Sequence, residues 1–269
     1  MQMVIAQRAV NAIKLGATKP YYVICDDGEQ YAVKFKENCL SKRVLANEYI
    51  CAKIAEILEL PLAYPSFIKV TEQFIKDFGQ EISNHVGEEI SSGVHFGTKK
   101  VKKVLPISSS YVIEKAINHN VIPDIFLFDH LIGNFDRDDN SGNLLFDASN
   151  MKIVVIDHTH AFEVAGMWDA NQLRIRTGKQ FTPYNTSGRM YSKMIPLIRG
   201  NNPFQNIINK LPRLNRELIA DIISNTPEEW DINEEDKQAL VEYIIDRLNR
   251  IDELIETLKP VLPYWKGGS

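Results

Sequence analysis

Oxygen-bearing side chains are concentrated in residues 133–162, which read GNFDRDDNSGNLLFDASNMKIVVIDHTHAF. Within this stretch, Asp136, Asn143 and Asp157 offer carboxylate and amide oxygens, which are the ligands that hard cations such as Mg²⁺ and Ca²⁺ bind. The polar loop that precedes Asn143 can bend around a bound group. The stretch therefore predicts a site for a divalent cation and phosphate.

A lysine that could reach a phosphate lies on an earlier predicted strand. Two β-rich runs, residues 21–25 and 31–36, are joined by a short connection that contains an Asp-Gly pair, which is typical of a hairpin. Alternation in the second run puts Ala32 and Lys34 on one face and the large apolar side chains on the other. Residues 31–34, Tyr-Ala-Val-Lys, follow the Val-Ala-Ile-Lys pattern, in which the small residue lies under the base and the lysine points toward the phosphates.

A helix predicted over about residues 42–59 carries the next candidate, Glu48. A carboxylate at this position could pair with Lys34 and hold it in place. Phosphoryl transfer needs such a lysine, a cation that holds the phosphates of a nucleoside triphosphate, and a carboxylate that orients the attacking hydroxyl. The acidic stretch supplies candidates for the last two parts, because Asp136 precedes Asn143 in a loop and Asp157 ends an apolar strand.

The hydrophobic pattern also predicts the elements that must position these residues. Residues 1–16 resemble a short amphipathic helix, whereas residues 71–105 show no clear pattern. The order of elements predicts an α+β chain with two lobes, a small β-rich lobe in residues 1–115 and a larger, mostly helical lobe in residues 116–269. Further predicted elements are strands at 66–70 and 111–115, a helix at 123–132, a hairpin of 143–146 with 152–156, and a final helix at 237–258.

Composition narrows the class of protein. The chain has 269 residues, 44% hydrophobic and 25% charged, which is ordinary for a soluble globular protein. Its net charge of −4 argues against a general nucleic-acid or membrane surface, although the basic run at residues 99–103 could attract an anion. No apolar run approaches the roughly 20 residues that span a bilayer. Three cysteines without metal-type spacing favour a reducing, cytoplasmic compartment.

The sequence resembles the HipA-type serine/threonine kinases, specifically the compact branch that contains little beyond the kinase domain. The segments that carry the resemblance are GATKPYYVICDDGEQYAVKF, VLANEYICAKIAEILELPLAYP, HFGTK, FDHLIGNFDRDDNSGNLL, IDHTHAF and IISNTPEEW. The resemblance covers most of the chain and implies a bilobal, protein-kinase-like fold. The Asp-Arg pair and the following Asp also give a more distant similarity to phosphatidylinositol kinases.

The resemblance implies an ATP- and Mg-dependent phosphotransferase. In that reading Asp136 is the catalytic carboxylate, Lys34 contacts the phosphates, Glu48 holds Lys34, and Asn143 and Asp157 bind the metal. The remaining cofactor-binding candidates are Ala32 beside the base, the phosphate-covering turn of Gly16, Ala17, Thr18 and Lys19, and Glu114 within an adenine-contacting connection between the lobes at residues 112–116.

One feature departs from the protein-kinase pattern. In the kinase catalytic loop the metal-binding Asn follows the catalytic Asp by five residues, whereas Ser141 occupies that position here and Asn143 comes two residues later. Counting back five residues from Asn143 leads to Asp138. We favour Asp136, because the compact branch shows an Asp-Arg pair with this longer spacing, and Asp138 is the alternative.

Two metal-binding alternatives use the same stretch. Residues 136–147 resemble the start of an EF-hand, but Ser141 replaces the required glycine and Asp147 replaces the final Glu. His158 and His160 could ligate zinc. We favour instead that these histidines hydrogen-bond near the metal-binding Asp and orient it.

The acceptor of the phosphate is less determined than the chemistry. Members of the resembled family phosphorylate protein hydroxyls, which favours a protein substrate, and self-modification at Thr18 is a related expectation. A lipid or small-molecule kinase is one alternative, and a catalytically weak, nucleotide-binding regulatory module is the other. The family also suggests an antitoxin or regulatory protein as partner.

Overall fold

Alternating buried and exposed side chains form a five-stranded barrel in the N-terminal part of the chain. The structure is a computed structural model that describes residues 1–137, 143–184 and 186–267. The strands follow the order β1-β2-β3-β5-β4, and β1 closes the barrel by pairing in parallel with β4. Their bounds are β1 (Gln2–Ala12), β2 (Tyr21–Cys25), β3 (Gln30–Lys34), β4 (Pro65–Val70) and β5 (Gly93–Lys99).

The first residues form strand β1, so the prediction of an N-terminal helix was wrong. Val4 and Ala6 are buried in the barrel, while their neighbours Met3, Ile5 and Gln7 are exposed. This alternation covers only a few residues, because the pairing with β2 is irregular beyond Ala6. The mixture of polar and apolar residues that suggested an amphipathic helix is therefore a bulged strand.

Strand β3 confirms the predicted hairpin and its two faces. Tyr31 and Val33 are buried inside the barrel, as is Phe35 just after the strand. Ala32 and Lys34 lie on the opposite face and are only partly buried. The lysine is thereby directed away from the barrel interior.

Two helices accompany the barrel. Helix α1 (Arg43–Ile57) matches the predicted helix and packs against β5 on one side and the helical part of the protein on the other. Helix α2 (Glu72–Val86) was not predicted, although its ends carry ordinary signals. The Thr71 hydroxyl accepts a hydrogen bond from the Phe74 amide, and Gly87 ends the helix with a φ of 91°.

The chain leaves the barrel after β5 and enters a small three-stranded sheet. Its strands are β6 (Val104–Leu105), β7 (Leu144–Asp147) and β8 (Lys152–Val155), of which the last two form the predicted hairpin. Residues 111–115 were predicted as a strand, but helix α3 (Ser110–Glu114) forms there instead. Ile113 is the buried residue of this short helix, and its last backbone bonds continue in the turn that follows.

The rest of the described chain is mainly helical and shares one large core with α1 and the small sheet. Helix α4 (Ile122–Leu131) lies at its centre and is buried along its whole length. The predicted final helix is divided at Arg250 into α9 and α10. The helices are α5 (Ala170–Arg176), α6 (Tyr191–Met194), α7 (Gln205–Ile208), α8 (Arg216–Ser224), α9 (Glu234–Asn249) and α10 (Ile251–Leu258). None of the helices in the described residues is long and apolar enough to cross a membrane.

A short turn from the helical part holds the start of β5. The Glu229 carboxylate accepts a hydrogen bond from the Val94 amide at 2.9 Å and forms an ion pair with Lys36. The Trp230 indole donates to the Val94 carbonyl oxygen, also at 2.9 Å. Because Lys36 lies two residues beyond the end of strand β3, this turn attaches both β3 and β5 to the helical part of the protein.

His95 lies in β5 and is fully buried. Its Nδ1 atom accepts a hydrogen bond from the Lys36 amide at 3.1 Å, so Nε2 carries the proton and donates to the Ser91 carbonyl oxygen at 3.1 Å. Burial, together with the charge of Lys36, lowers the pKa of His95 to about 3. The His95 ring therefore takes up a proton near pH 6.5 in the unfolded chain, but only at a much lower pH in the folded protein.

We expect this histidine to make the protein sensitive to acid. The stability that it contributes is complete above pH 6.5 and is lost as the pH falls toward 3, with a slope of at most about 1.4 kcal/mol per pH unit. His95→Asn should lower the free energy of unfolding at pH 7.5 and reduce its decline between pH 6.5 and 4.5, measured by urea unfolding. His119→Gln, at an exposed site, is the control and should keep the wild-type slope. An unchanged slope in His95→Asn would contradict the assignment.

Candidate active site

The Lys34 side chain lies at the meeting point of three elements. Its Nζ atom contacts the Glu48 carboxylate from helix α1, Asp157 Oδ1 at 2.9 Å and Thr159 Oγ1 at 2.8 Å. The Thr159 hydroxyl also donates to Glu48 Oε1 at 2.9 Å, and the His158 amide donates to Glu48 Oε2 at 3.1 Å. The predicted pairing of Lys34 with Glu48 is therefore present in the structure, and Asp157 joins the pair.

One ammonium thus faces two carboxylates in a poorly hydrated site. Burial works against the charge on Lys34, but Asp157 and Glu48 together raise its pKa above the ordinary value. Burial likewise opposes ionisation of Asp157, and the adjacent Lys34 nevertheless holds the pKa of this carboxyl far below its usual range. Burial raises the pKa of Glu48, which is only 2% exposed. Lys34 and Asp157 are therefore a charged pair at neutral pH.

Asp136 lies on the other side of the cleft with two polar neighbours. The Asn143 amide donates to Asp136 Oδ2 at 3.3 Å, so the amide oxygen is the atom of Asn143 that can bind a cation. His160 Nδ1 also lies 3.3 Å from Asp136 Oδ2, and this contact raises the pKa of His160. Asp138, the alternative catalytic carboxylate, lies outside the described residues.

A second buried ion pair, Arg137 with Asp129, holds the loops that carry Asp136 and Asn143. Arg137 is fully buried and forms a two-pronged contact with Asp129 of helix α4, at 2.7 Å from Nε and 2.8 Å from Nη2. Its Nη1 atom donates to the carbonyl oxygens of Asn143 and, at 2.8 Å, of Ile156. Arg137 therefore connects Asp136, its neighbour in sequence, with the backbone beside both predicted metal ligands.

Two adjoining cavities define the cleft. The larger, of about 250 Å³, lies between the barrel and the β7–β8 hairpin and has an apolar floor with Lys34, Glu48 and Asp157 at one side. The smaller, of about 200 Å³, is lined by residues of the Gly16–Lys19 turn together with Asp136, Asp157 and His160. The apolar and small residues of the larger cavity include Ile13, Ala32, Phe96, Thr98, Leu145 and Ile156.

Most of the site residues predicted from sequence meet at these cavities. Ala32, Lys34, Glu48, Asn143 and Asp157 line the larger one with Gly16 and Thr18, and Ala17, Thr18 and Asp136 line the smaller one.

Two predicted cofactor-binding residues lie elsewhere. The ammonium of Lys19 donates to the Val86 carbonyl oxygen at 3.0 Å, at the end of helix α2. Glu114 pairs with Arg199 at 3.3 Å on the surface of the helical part. Residues 112–116 were predicted to connect the lobes. In the structure the chain passes from β5 to β6 at residues 100–103, and residues 112–114 belong to helix α3.

The backbone that follows β8 has an unusual conformation. Asp157, Phe162, Glu163 and Ala165 have φ angles of 62°, 60°, 67° and 54°, in the left-handed region that residues other than glycine seldom adopt. Such residues persist only where surrounding contacts determine them, and they are concentrated at functional sites. The segment that begins at the predicted metal ligand is therefore held by its neighbours.

Sequence reasoning missed several residues of the site. Thr159 was not singled out, although it joins Lys34 and Glu48. Phe96 and Thr98 come from a section without a clear pattern, and their only signal was the HFGTK segment itself. Asp129 lies in the apolar helix α4, where a charged residue is a signal in its own right, because a buried carboxylate needs a partner.

The donor set fits a divalent cation. Asn143 and Asp157 supply oxygen atoms beside the charged Lys34, and hard cations of the Mg²⁺ type prefer oxygen ligands. Within the described ranges, three or more His, Cys, Asp or Glu side chains do not gather into a metal-holding group. The two histidines considered for zinc have different surroundings, because His158 is buried while His160 contacts Asp136.

A barrel with a lysine–glutamate pair, a helical second part and an acidic cleft between them define a kinase-like fold. The sequence profile of the HipA-like kinases matches residues 6–259, so the chain belongs to the HipA-like kinase family. A comparison with curated proteins found no match.

Several solved kinase structures are similar to this chain. The chain resembles the Helicobacter pylori proinflammatory kinase CtkA with a TM-score of 0.54 and 16% identity, covering 94% of this chain and 96% of that one. Hydra Fam20 solved with sugar gives a TM-score of 0.47 at 14% identity, covering 96% and 86%. The Golgi casein kinase with Mn/ADP bound gives 0.45 at 9% identity, covering 96% and 74%.

We expect the pair of Asp129 and Arg137 to be costly to break. Asp129→Ala leaves a buried guanidinium without its carboxylate and should lower the free energy of unfolding by about 3–5 kcal/mol. Glu235→Ala, which removes an exposed partner of Arg174, should cost less than about 1 kcal/mol. Urea unfolding measures both, and Asp129→Asn provides a milder variant. A loss in Asp129→Ala as small as that in Glu235→Ala would contradict the role given to the pair.

Proposed function

We propose that the protein is an ATP- and Mg-dependent kinase that phosphorylates serine or threonine hydroxyls of a protein. The observation that carries this proposal is the convergence of Lys34, Glu48, Asn143 and Asp157 at one cavity, with Asp136 at the adjoining one. Membership of the HipA-like kinase family supports phosphoryl transfer as the reaction class. The serine or threonine acceptor is the finer part of the proposal.

Each side chain has a role that its position allows. The apolar floor around Ala32 suits a planar base, and Lys34 at its edge can neutralise phosphate charge. Asn143 and Asp157 would hold Mg²⁺, which supplies charge stabilisation on the transferred phosphoryl group. Asp136 orients the acceptor hydroxyl and takes its proton as the hydroxyl oxygen bonds to the γ-phosphorus. The bond from the γ-phosphorus to the β–γ bridging oxygen breaks, and the nucleoside diphosphate leaves.

The acceptor must reach the smaller cavity. Thr18 lines this cavity together with Asp136, which supports the proposal that the chain can modify itself at Thr18. Because Thr18 is only 3% exposed, such modification requires the Gly16–Lys19 turn to move. We propose a cytoplasmic location on the basis of the three free cysteines, and an antitoxin or regulatory protein as a partner by analogy with the family.

We expect substitution of the cleft carboxylates to abolish transfer. Asp136→Asn and Asp157→Asn should each reduce phosphate transfer from radiolabelled ATP about 100-fold or more, because they remove proton acceptance and metal binding respectively. Lys34→Ala should act similarly. Glu114→Gln serves as the matched control, since this carboxylate lies on the surface with Arg199, and it should retain wild-type activity.

The readout is phosphate incorporation into candidate protein acceptors and into the chain itself, with mass spectrometry to locate modified residues. Wild-type activity in Asp157→Asn would contradict the assignment of Asp157 as a metal ligand. Nucleotide binding by the wild type, without transfer to any protein, lipid or small-molecule acceptor, would favour the regulatory module. Transfer only to a lipid or small molecule would keep the kinase and reject the protein acceptor.

A further inference from the structure

One buried amide side chain, that of Asn47, joins helix α1 to the segment that follows Asp157. Its Nδ2 atom donates to the carbonyl oxygens of Thr159 and Ala165, both at 2.8 Å. Its Oδ1 atom accepts a hydrogen bond from the Trp168 indole at 2.7 Å. Asn47 is fully buried, and its two amide hydrogens and its oxygen are all directed at this one segment.

The two carbonyl oxygens that Asn47 binds bracket the strained backbone. Phe162 and Glu163, with φ angles of 60° and 67°, lie between Thr159 and Ala165. Left-handed residues other than glycine need contacts that hold them. A side chain with two donors, anchored to a rigid helix, provides a fixed point for each end of this turn. A carboxylate oxygen or a methyl group at position 47 has no hydrogen to donate, so it could not hold either carbonyl oxygen.

The neighbouring residue in sequence, Glu48, holds Lys34 and contacts the same segment. Glu48 contacts Lys34 and accepts hydrogen bonds from the His158 amide and the Thr159 hydroxyl. Asn47 and Glu48 therefore bind successive parts of one segment from the same turn of α1. A shift of α1 relative to the segment would break both sets of contacts together.

Packing at the start of α1 opposes such a shift. A Cβ atom at Gly166 would lie 2.8 Å from the Val44 side chain and 2.9 Å from that of Ser41, so the segment and the helix approach as closely as a glycine allows. The Arg43 guanidinium donates to the Trp168 carbonyl oxygen and pairs with Asp236 of helix α9 at 2.6 Å. The helix is therefore held on the helical part of the protein before Asn47 is reached.

We propose that Asn47 is a positioning residue, which holds the Lys34–Glu48 pair and Asp157 in one arrangement by fixing helix α1 to residues 159–168. In protein kinases, phosphorylation of the activation loop controls the placement of the corresponding helix. Here neutral hydrogen bonds to backbone carbonyls hold the helix, so the pair is assembled without modification of the segment. The proposal rests on the kinase function proposed above.

Three variants separate the contacts of Asn47. Asn47→Asp keeps the shape but replaces the double donor with an oxygen that faces two carbonyl oxygens, whereas Asn47→Ala removes all three hydrogen bonds. Trp168→Phe removes only the indole donor and is the mildest. Trp265→Phe is the matched control, because its indole also donates to one carbonyl oxygen, that of Asn201 at 2.8 Å, outside the cleft.

Comparing kcat with the KM for ATP distinguishes misplaced catalytic groups from a general loss of folded protein. We expect kcat to fall about 100-fold in Asn47→Asp and Asn47→Ala, with a smaller fall in Trp168→Phe, because small misplacements of catalytic groups carry such losses. The KM for ATP should change less, and Trp265→Phe should remain within twofold of wild type. In a Glu48→Gln background, Asn47→Ala should add little further loss, because both residues act through the same pair.

Hydrogen exchange tests the same idea without catalysis. The amides of residues 157–168 should exchange faster in Asn47→Ala and Trp168→Phe than in the wild type, and Trp265→Phe should leave them unchanged. If the wild-type protein showed no kinase activity, the proposed function would be rejected. The hydrogen-exchange rates of residues 157–168 would still show whether Asn47 holds this segment. Wild-type kcat and wild-type exchange in the Asn47 variants would overturn this inference alone. So would losses that add fully to those of Glu48→Gln.

Discussion

The charge on Lys34 is the constraint on which the rest of the cleft depends. Its ammonium comes from the barrel, one carboxylate partner from helix α1 and the other from the segment after β8. A buried charge without partners is costly, and a buried carboxylate left behind is costlier than the pair. Two consecutive elements, β3 and α1, must therefore meet a segment that lies 123 residues after Lys34 in the chain. The geometry of the cleft is set by this requirement and by the Thr159 hydroxyl that bridges the partners.

A second buried cation, Arg137, solves a different problem. Backbone carbonyl groups at the end of the β7–β8 hairpin need donors where they are buried. Arg137 supplies these donors to Asn143 and Ile156, and Asp129 balances its charge. Lys34 and its two carboxylate partners thus set the electrostatics of the cleft, whereas the Arg137–Asp129 pair fixes the ends of the loops. Asp136 and Asn143 are consequently placed by a buried scaffold and not by their own contacts alone.

Local patterns predicted the parts of the structure that local contacts determine. The alternation around Lys34, the helical stripe around Glu48 and the hairpin before Asp157 were confirmed, because each period appears within a few residues. Strand β1 was misread because its place depends on pairing with β4, about sixty residues away, and on a bulge that interrupts its alternation. Helix α2 was missed although Thr71 and Gly87 marked its ends.

The residues of the candidate site also differ in whether local sequence patterns could predict them. Charged residues in motif spacing identified the groups that meet at the cavities, whereas Glu114 was assigned from the order of elements and lies elsewhere. Asn47 and Thr159 lie within segments that carry the family resemblance, but neither was given a role, because they act through a contact between positions 112 residues apart. Single-sequence periodicity carries no information about such a pair. The acidic and basic residues of this cleft were therefore easier to predict than the neutral residues that hold them.

The neutrality of Asn47 is itself consistent with its place in the molecule. In the proposed function, phosphates and a divalent cation would change the charge around Lys34 and Asp157, and any ion pair in the cleft would have to adjust to them. An amide that binds backbone carbonyls keeps its protonation state through that change, and its hydrogen bonds are directional. A scaffold of this kind can hold helix α1 while the charges above it exchange partners. The charged contacts in the cleft are thus separate from the neutral contacts behind it, so the proposed ligands could rearrange the former without breaking the latter.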